Sequence, residues 1–428
     1  MKSLDAKLAE IKANASSRAF IIADAKDADM AFGVRAPGPR SYLAARGERP
    51  ARFSPEIWTR AEFGYRNLPE FLDIIREVVD QGLVDILLMS AYVNEQLTIK
   101  EKLFRNSHVT PAARANDATD VWAVRHGCYT GEAAQPFRTA TIDQIQCGKI
   151  ECDRTTSDFP GGNLGLYSVT FVNDLEQDRE TLLSFKEFRE EAERKNFRYF
   201  LEVFDPNVKS GIASEKLGEF INDHIIRSLA GVPESGRPLF LKIVYHGPRA
   251  MEEIAQYDPN LVVGILGGSA GTTYDAFKLI HDAQKYGARV ALFGRKINNA
   301  EHQLAFIEML RFITEGKLSP EEAVRAYHGV LKAKDIQPKR SLEKDLELTD
   351  QSMMYDGEAR TVVSVRNNPL TRTEHPAPQR AESVTPKTAT QAGASEWPVL
   401  PDGAPDFSNM NPAHRRAYDQ DRLTRKFG

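Results

Sequence analysis

Residues 238–297 read PLFLKIVYHGPRAMEEIAQYDPNLVVGILGGSAGTTYDAFKLIHDAQKYGARVALFGRKI. Three short apolar runs stand out, at 239–245 (LFLKIVY), 261–266 (LVVGIL) and 289–293 (RVALF). Each is followed within two residues by glycine, and helix-like segments separate them. Apolar runs of this length, bounded by Gly or Pro and alternating with helices, read as strands of a parallel sheet buried on both faces.

Lys242 interrupts the first run, between Leu241 and Ile243. An ammonium group is costly to desolvate, and the usual compensation is a carboxylate partner or loss of the proton. A buried neutral lysine is the nucleophile that Schiff-base chemistry on a carbonyl requires. The alternative is a strand-edge lysine whose stem lies on apolar surface while its head reaches water. The next two runs end in Gly267-Gly268-Ser269 and Gly294-Arg295. Glycines let backbone N–H groups approach an anion, a helix N-terminus favours it, and arginine binds it through two hydrogen bonds. In barrels of alternating strands and helices, the loops after the last two strands commonly hold phosphate. Each glycine motif alone is an ordinary turn. The three strands in this order are more specific.

A lysine strand, a Gly-Gly-Ser strand and a Gly-Arg strand in succession resemble the C-terminal part of the class I, Schiff-base aldolase superfamily. That group includes deoxyribose-phosphate, tagatose-bisphosphate and archaeal-type fructose-bisphosphate aldolases. The resemblance is strongest over residues 239–310, weaker through the rest of the barrel, and ends after about Asp335. It implies that Lys242 lies on the sixth strand of a barrel and forms the imine. It also implies that Gly267, Gly268, Ser269, Gly294 and Arg295 hold a substrate phosphate, with no cofactor and no metal.

Working outward, residues 3–15 read as a polar helix with Leu4, Leu8 and Ile11 on one face, suited to cap the bottom of a barrel. Residues 19–24 (AFIIAD) read as the first strand, with Phe20, Ile22 and Asp24 alternating to one side. Asp24 at its end is a candidate to hold Lys242 and relay protons, and the resembled family also carries an aspartate on that strand. The alternative is an aspartate that caps the following loop. Residues 25–67 form a long arginine-bearing excursion, the first of two insertions. Residues 68–82 read as an amphipathic helix through Phe71, Ile74, Ile75, Val78 and Val79. The second strand is read at 84–89 (VDILLM) and the third at 120–125 (DVWAVR), which ends in Arg125-His126. His126 is a candidate acid or base there, with Arg125 beside it; a lone histidine is more often structural.

Residues 127–163 are the second insertion, after the third strand. The fourth and fifth strands are read at 164–172 (LGLYSVTFV) and 197–204 (FRYFLEVF). Glu202 between Leu201 and Val203 calls for a partner or a function. It resembles the strand-five glutamate of the tagatose-bisphosphate aldolase branch, whereas Tyr199, three residues earlier, falls on the opposite face. The fourth strand carries no lysine, where several branches of the family have a second one. His224 falls on the apolar side of a helix at 214–229 and reads as a core-edge residue. Thr272 with Asp275, and Ser319 with Pro320 and Glu322, mark helix starts.

The chain has 428 residues and a formal charge of −4, with nothing that points to nucleic acid. No apolar run reaches membrane length and the N-terminus lacks a secretory pattern. Three cysteines, Cys128, Cys147 and Cys152, read as free thiols of a cytoplasmic protein. Three stretches follow: a barrel over 1–335, a disordered linker over 336–395 and a short basic tail over 396–428 suited to docking a partner. The expected fold is α/β, a (β/α)8 TIM barrel with long insertions after strands 1 and 3 and a disordered C-terminal extension. The expected activity is a lyase in which Lys242 forms a Schiff base with a ketose or keto-acid phosphate, Asp24 and Glu202 move protons, and a homo-oligomer forms through exposed helix faces. Two alternatives stay open: a sugar-phosphate isomerase, epimerase or decarboxylase without an imine, and a non-catalytic barrel with a docking tail.

Overall fold

The structure is a computed structural model, and it describes residues 1–14, 16–38, 65–117, 124, 131–155, 158–268, 271–350, 397–399, 406, 409–411, 413–414 and 417–418. Eight parallel strands close into a barrel in sequence order: β1 (Ile21–Lys26), β2 (Ile86–Met89), β3 (Thr110–Arg114), β4 (Leu164–Thr170), β5 (Arg198–Phe204), β6 (Leu241–Ile243), β7 (Gly264–Leu266) and β8 (Val290–Phe293). β1 pairs with both β2 and β8, which closes the ring. The helices are α1 (Ser3–Ala13), α2 (Asp29–Phe32), α3 (Leu68–Gln81), α4 (Ala91–Asn94), α5 (Ile142–Cys147), α6 (Leu175–Arg194) and α7 (Leu217–Ala230). They continue as α8 (Pro248–Tyr257), α9 (Thr273–Lys285), α10 (Arg295–Asn298), α11 (Gln303–Thr314), α12 (Pro320–Ala333) and α13 (Leu342–Asp345).

Strand alternation divides the core in two. Ile21, Ala23, Ala25, Ile86, Leu88, Ala112, Leu164, Leu166, Phe200, Phe240, Val290 and Leu292 fill the barrel interior. Leu4 and Leu8 of α1 join this cluster, and Ile11 packs on it. Lys2 Nζ donates to the carbonyls of Phe104, Ser107 and Val109, just before β3, so α1 closes the N-terminal mouth as its sequence implies. The opposite strand faces, such as Ile22, Leu87, Tyr167, Tyr199, Leu201 and Phe293, pack against the helices. Local signals start the helices where they were read. Asn67 and Glu70, Thr272 and Asp275, and Ser319 and Glu322 each form a reciprocal capping box. His224 stacks on Phe171 with ring centroids 4.4 Å apart, the core-edge setting expected of it.

Three expectations are corrected. The third strand is Thr110–Arg114, not 120–125. The sequence TPAAR lacks the large alternating residues of DVWAVR and contains a proline. Thr110 N–H donates toward β2 and Ala115 N–H toward β4, so the donor that Pro111 lacks would face β4, whose pairing begins only at Ala113. Residues 120–123 and 125–126 lie outside the described residues, as does most of the excursion after β1 and the stretch 367–395.

Second, Cys147 and Cys152 are joined by a disulfide. Gly148 ends α5 in the left-handed region at φ 69° and turns the chain back, bringing the two Cα atoms to 6.0 Å. Cys128 lies outside the described residues, and the pairing removes the thiol argument for a reducing compartment.

Third, barrel packing continues past Asp335. Leu342, Leu346 and Leu348 lie against the outer core, and Asp345 is buried. The chain divides into two compact units, Met1–Arg372 and Thr373–Gly428. Within the second, Trp397 and Tyr418 meet edge to face at 5.4 Å, and Asn411 Oδ1 accepts from the N–H groups of Ala413 and His414. No helix among the described residues is long and apolar enough to cross a membrane.

Candidate active site

Strand register lines up three polar residues inside the barrel. Ser168 of β4 is the partner of Glu202 on β5, and Glu202 is the partner of Lys242 on β6. Each follows an interior residue by two, after Leu166, Phe200 and Phe240, so all three side chains share the inner face near the C-terminal ends of their strands. Asn116, just past β3, binds both backbone groups of Ser168, donating to its carbonyl at 2.8 Å and accepting its N–H at 2.7 Å. On the other side of β6 runs β7, where a Cβ on Gly264 would lie 2.6 Å from the Leu241 carbonyl oxygen and 2.7 Å from Val290 Cβ, so glycine lets the strands close there.

Charge alternates across the mouth. Lys242 Nζ pairs with Glu202 Oε1. Glu202 Oε2 accepts from Ser168 Oγ at 2.7 Å and lies 4.0 Å from Arg114 Nη2. Arg114 Nε donates to Asp27 Oδ2 at 2.6 Å. All four are buried, Lys242 the most accessible at 7%. Buried charges are tolerable because each has an opposite neighbour and directed hydrogen bonds. At the edge of this row, Asp29 Oδ2 accepts from Ser90 Oγ at 2.7 Å. Burial pushes the Asp29 carboxyl up to about 6, with the Ser90 hydrogen bond opposing and Asp27 adding to the shift.

Lys242 and Glu202 are thus brought together, and Tyr199 faces away, its hydroxyl donating to the Gly236 carbonyl. Asp24 is not part of this group. It belongs to the outer face of β1 with Phe20 and Ile22, where its carboxylate meets Lys26 Nζ at 2.7 Å. Lys26 is fully buried and also donates to Asn298 Oδ1 at 2.5 Å and Gln303 Oε1 at 3.3 Å. Burial raises the Asp24 pKa and lowers that of Lys26, and their mutual attraction opposes both shifts. The aspartate on the interior side is Asp27, just past β1 and two residues past the inward-facing Ala25.

At the β7 and β8 ends the glycines differ. A Cβ on Gly267 would lie 2.1 Å from the Phe293 ring, so close packing requires glycine there, and one on Gly294 would make a tight contact of 3.0 Å with the Ala25 carbonyl oxygen. Gly267 N–H is already spent on the Leu292 carbonyl. Gly268 has φ +58° and open space around it, the setting in which backbone can meet a ligand. Arg295 is exposed, its guanidinium 5.2 Å from the centre of the Phe32 ring. The N-terminus of α9 is closed to an anion. Thr272 N–H donates to Asp275 and Thr273 N–H to Asp345, while the start of α10 at Gly294 carries no side-chain cap. Ser269, Arg125 and His126 lie outside the described residues.

Sequence reading missed Arg114, Asp27, Ser168 and Lys26. The fourth strand carries no cation; Arg114, 4.0 Å from Glu202, comes from the third, where the only hint was an arginine closing a run of small residues. It also missed His246, buried just past β6, whose Nε2 lies 2.9 Å from Asp205 Oδ1 and whose ring packs over Gly218 of α7.

No protein-family model matches the chain, and no curated protein matches it. Among solved structures it is similar to an archaeal fructose 1,6-bisphosphate aldolase at 12% identity, with 73% of this chain and 98% of that one covered and a TM-score of 0.49. It is similar to an archaeal fructose-1,6-bisphosphate aldolase whose catalytic lysine is covalently bound to the carbinolamine intermediate of the substrate, at 14% identity, 72% and 98% coverage and a TM-score of 0.49. It is also similar to orotidine 5'-phosphate decarboxylase from Pyrococcus horikoshii at 14% identity, 58% and 94% coverage and a TM-score of 0.33.

Proposed function

We propose that the chain is a carbon–carbon lyase of the class I aldolase type, acting through an imine on Lys242 with a phosphorylated ketose or keto-acid. The observation that carries this reading is the registered pair Glu202 and Lys242, facing the interior at the C-terminal end of the barrel. In α/β barrels that end is where the chemistry is done.

Glu202 takes a proton from the Lys242 ammonium, and the freed amine adds to the substrate carbonyl carbon. The C–N bond forms as the carbonyl electron pair moves to oxygen. Glu202 returns that proton to the oxygen, then carries a second proton from the nitrogen to it, and the oxygen leaves as water with the C–O electron pair as the nitrogen lone pair forms the iminium. Cleavage of the carbon–carbon bond sends its electron pair into the iminium to form an enamine, and the hydroxyl of the departing aldehyde gives its proton to Glu202, which then returns it to the enamine carbon. Protonation of the enamine carbon and addition of water then regenerate the amine. Ser168 and Arg114, itself held by Asp27, keep Glu202 oriented toward the lysine. Gly268, Ser269 and Arg295 hold the phosphate, and Gly267 and Gly294 let the β7 and β8 ends pack closely beneath it. Asp24 has no part in this scheme.

The ion pair itself favours a second reading, in which Lys242 stays a cation and Glu202 transfers protons in an isomerisation or decarboxylation without an imine. The test is to incubate the protein with dihydroxyacetone phosphate and a panel of ketose phosphates and keto-acids, reduce with borohydride, and measure intact mass. The imine reading predicts a stable adduct that Lys242→Arg abolishes. No adduct across the panel, with Lys242→Arg retaining turnover on a sugar phosphate, would establish the second reading instead.

A further inference from the structure

The chain does not leave the barrel after α12. It folds back across the turn between β7 and α9, and this return is held by directed bonds rather than by packing alone. Asp345, at the end of α13, is buried, and its Oδ1 accepts Thr273 N–H at 2.8 Å while its Oδ2 lies 2.9 Å from His328 Nε2. Glu347 offers its carbonyl to the Thr272 hydroxyl at 2.8 Å. Thr349 donates its N–H to Asp275 Oδ1 at 2.8 Å and its hydroxyl to Asp275 Oδ2 at 2.5 Å, and Asp350 N–H adds a bond of 3.0 Å to Oδ1. Asp275 also accepts Thr272 N–H at 2.7 Å. One buried carboxylate thereby joins the first turn of α9 to a segment 74 residues later in the chain.

The same turn is held from its other side. Lys296 of α10, directly after β8, donates from Nζ to the carbonyls of Gly271 at 3.0 Å and Thr272 at 2.7 Å. Gly271 has φ +82°, and a Cβ there would lie 2.0 Å from Asp275 Oδ2, so no other residue fits between the turn and its carboxylate. The turn is therefore clamped between the β8 side and residues 341–350. The loop it terminates begins with Gly267 and Gly268.

We propose that residues 341–350 are a strap that positions the β7 loop for an anionic substrate group, with Asp345 and Thr349 as its positioning residues. This rests on the assignment of the β7 and β8 ends to phosphate. The strap does not touch Lys242 or Glu202 through any of these bonds, so it acts on binding of the phosphate and not on imine formation. Asp345 of the strap and Asp275 of α9 itself also occupy the α9 N-terminus, which directs a substrate anion to Gly268 and the β8 end.

The experiment compares the full-length protein with Asp345→Ala/Thr349→Val and with Asp345→Asn, whose amide oxygen still accepts the Thr273 N–H. Borohydride-trapping rates are measured with dihydroxyacetone phosphate and with unphosphorylated dihydroxyacetone, alongside amide hydrogen exchange by mass spectrometry. For the double variant, losing hydrogen bonds of ordinary strength predicts an apparent KM for the phosphorylated compound raised by about tenfold, with the rate for dihydroxyacetone unchanged. Asp345→Asn recovers most of the loss. Exchange rises in peptides covering residues 267–275 and not in the rest of the barrel. Unchanged KM and unchanged exchange in those peptides would overturn the strap. If the unaltered protein traps neither compound, the imine reading fails, while exchange at residues 267–275 still decides whether the segment holds the loop.

Discussion

Two lysine–carboxylate pairs are buried in the wall of this barrel, and they face opposite ways. Asp24 and Lys26 point outward from β1 into the layer beneath α10 and α11, where Asn298 and Gln303 complete the lysine's hydrogen bonds. Glu202 and Lys242 point inward from β5 and β6, and Lys242 retains a little access at the open end. Both pairs are buried, so burial of a lysine does not by itself identify a nucleophile. What differs is the face. A lysine sealed between sheet and helices has no route for a substrate carbonyl, whereas one at the mouth does.

The sharpest way to separate the pairs is to remove one lysine from each. Lys242→Met should abolish adduct formation and lower turnover by several orders of magnitude, with a modest change in melting temperature, because Arg114 and Ser168 still attend Glu202. Lys26→Met should do the reverse. It strands a fully buried Asp24 and should cost about 3–5 kcal/mol of stability, read by denaturant unfolding, while the folded fraction still forms the adduct at the normal rate. Replacing both members, Lys26→Met with Asp24→Leu, should restore most of that stability. A Lys26→Met protein that is stable but inactive would collapse the distinction.

Glu202→Gln tests the inner pair more finely. The amide still accepts the Ser168 hydrogen bond, so the fold should persist, while loss of the proton acceptor should slow adduct formation by about 10²–10⁴-fold. The smallest effect concerns Asp29, which burial raises from 3.8 to about 6. The folded chain holds this proton to higher pH than the unfolded chain does. Its stabilising contribution is complete below 3.8, falls as pH rises toward about 6, and is flat above. Asp29→Asn should therefore match the unaltered protein in unfolding midpoint below pH 3.8 and exceed it at pH 7.

The same comparison explains what was legible in the sequence. Lys242 and Glu202 could be found because each is a charge inside an apolar strand, and the alternation that set Tyr199 on the other face from Glu202 holds. Alternation also grouped Phe20, Ile22 and Asp24 correctly, but it cannot say which face is inside; only closure of the barrel puts Ile21, Ala23 and Ala25 within. Asp24 was therefore read toward the lysine when it points away, and Asp27 was passed over. β3 was hidden because small residues and a proline satisfy a crowded interior without resembling a strand, while DVWAVR satisfied the pattern. With it went Arg114, the cation between Asp27 and Glu202. Helix starts were legible because a capping box is a local device, four residues long. The Cys147–Cys152 bond and the strap after Asp335 were not, because each depends on where the chain turns back.

The most direct measurement is the location of the trapped carbon. The protein is incubated with dihydroxyacetone phosphate, reduced with borohydride, digested and mapped by peptide mass spectrometry, with the peptides containing Lys26, Lys242 and Lys296 followed together. The inward-facing pair as the reactive one predicts the reduced adduct on Lys242 alone and none in Lys242→Met. An adduct on Lys26 or Lys296, or a folded and active protein in which Lys242 stays unmodified, would contradict it.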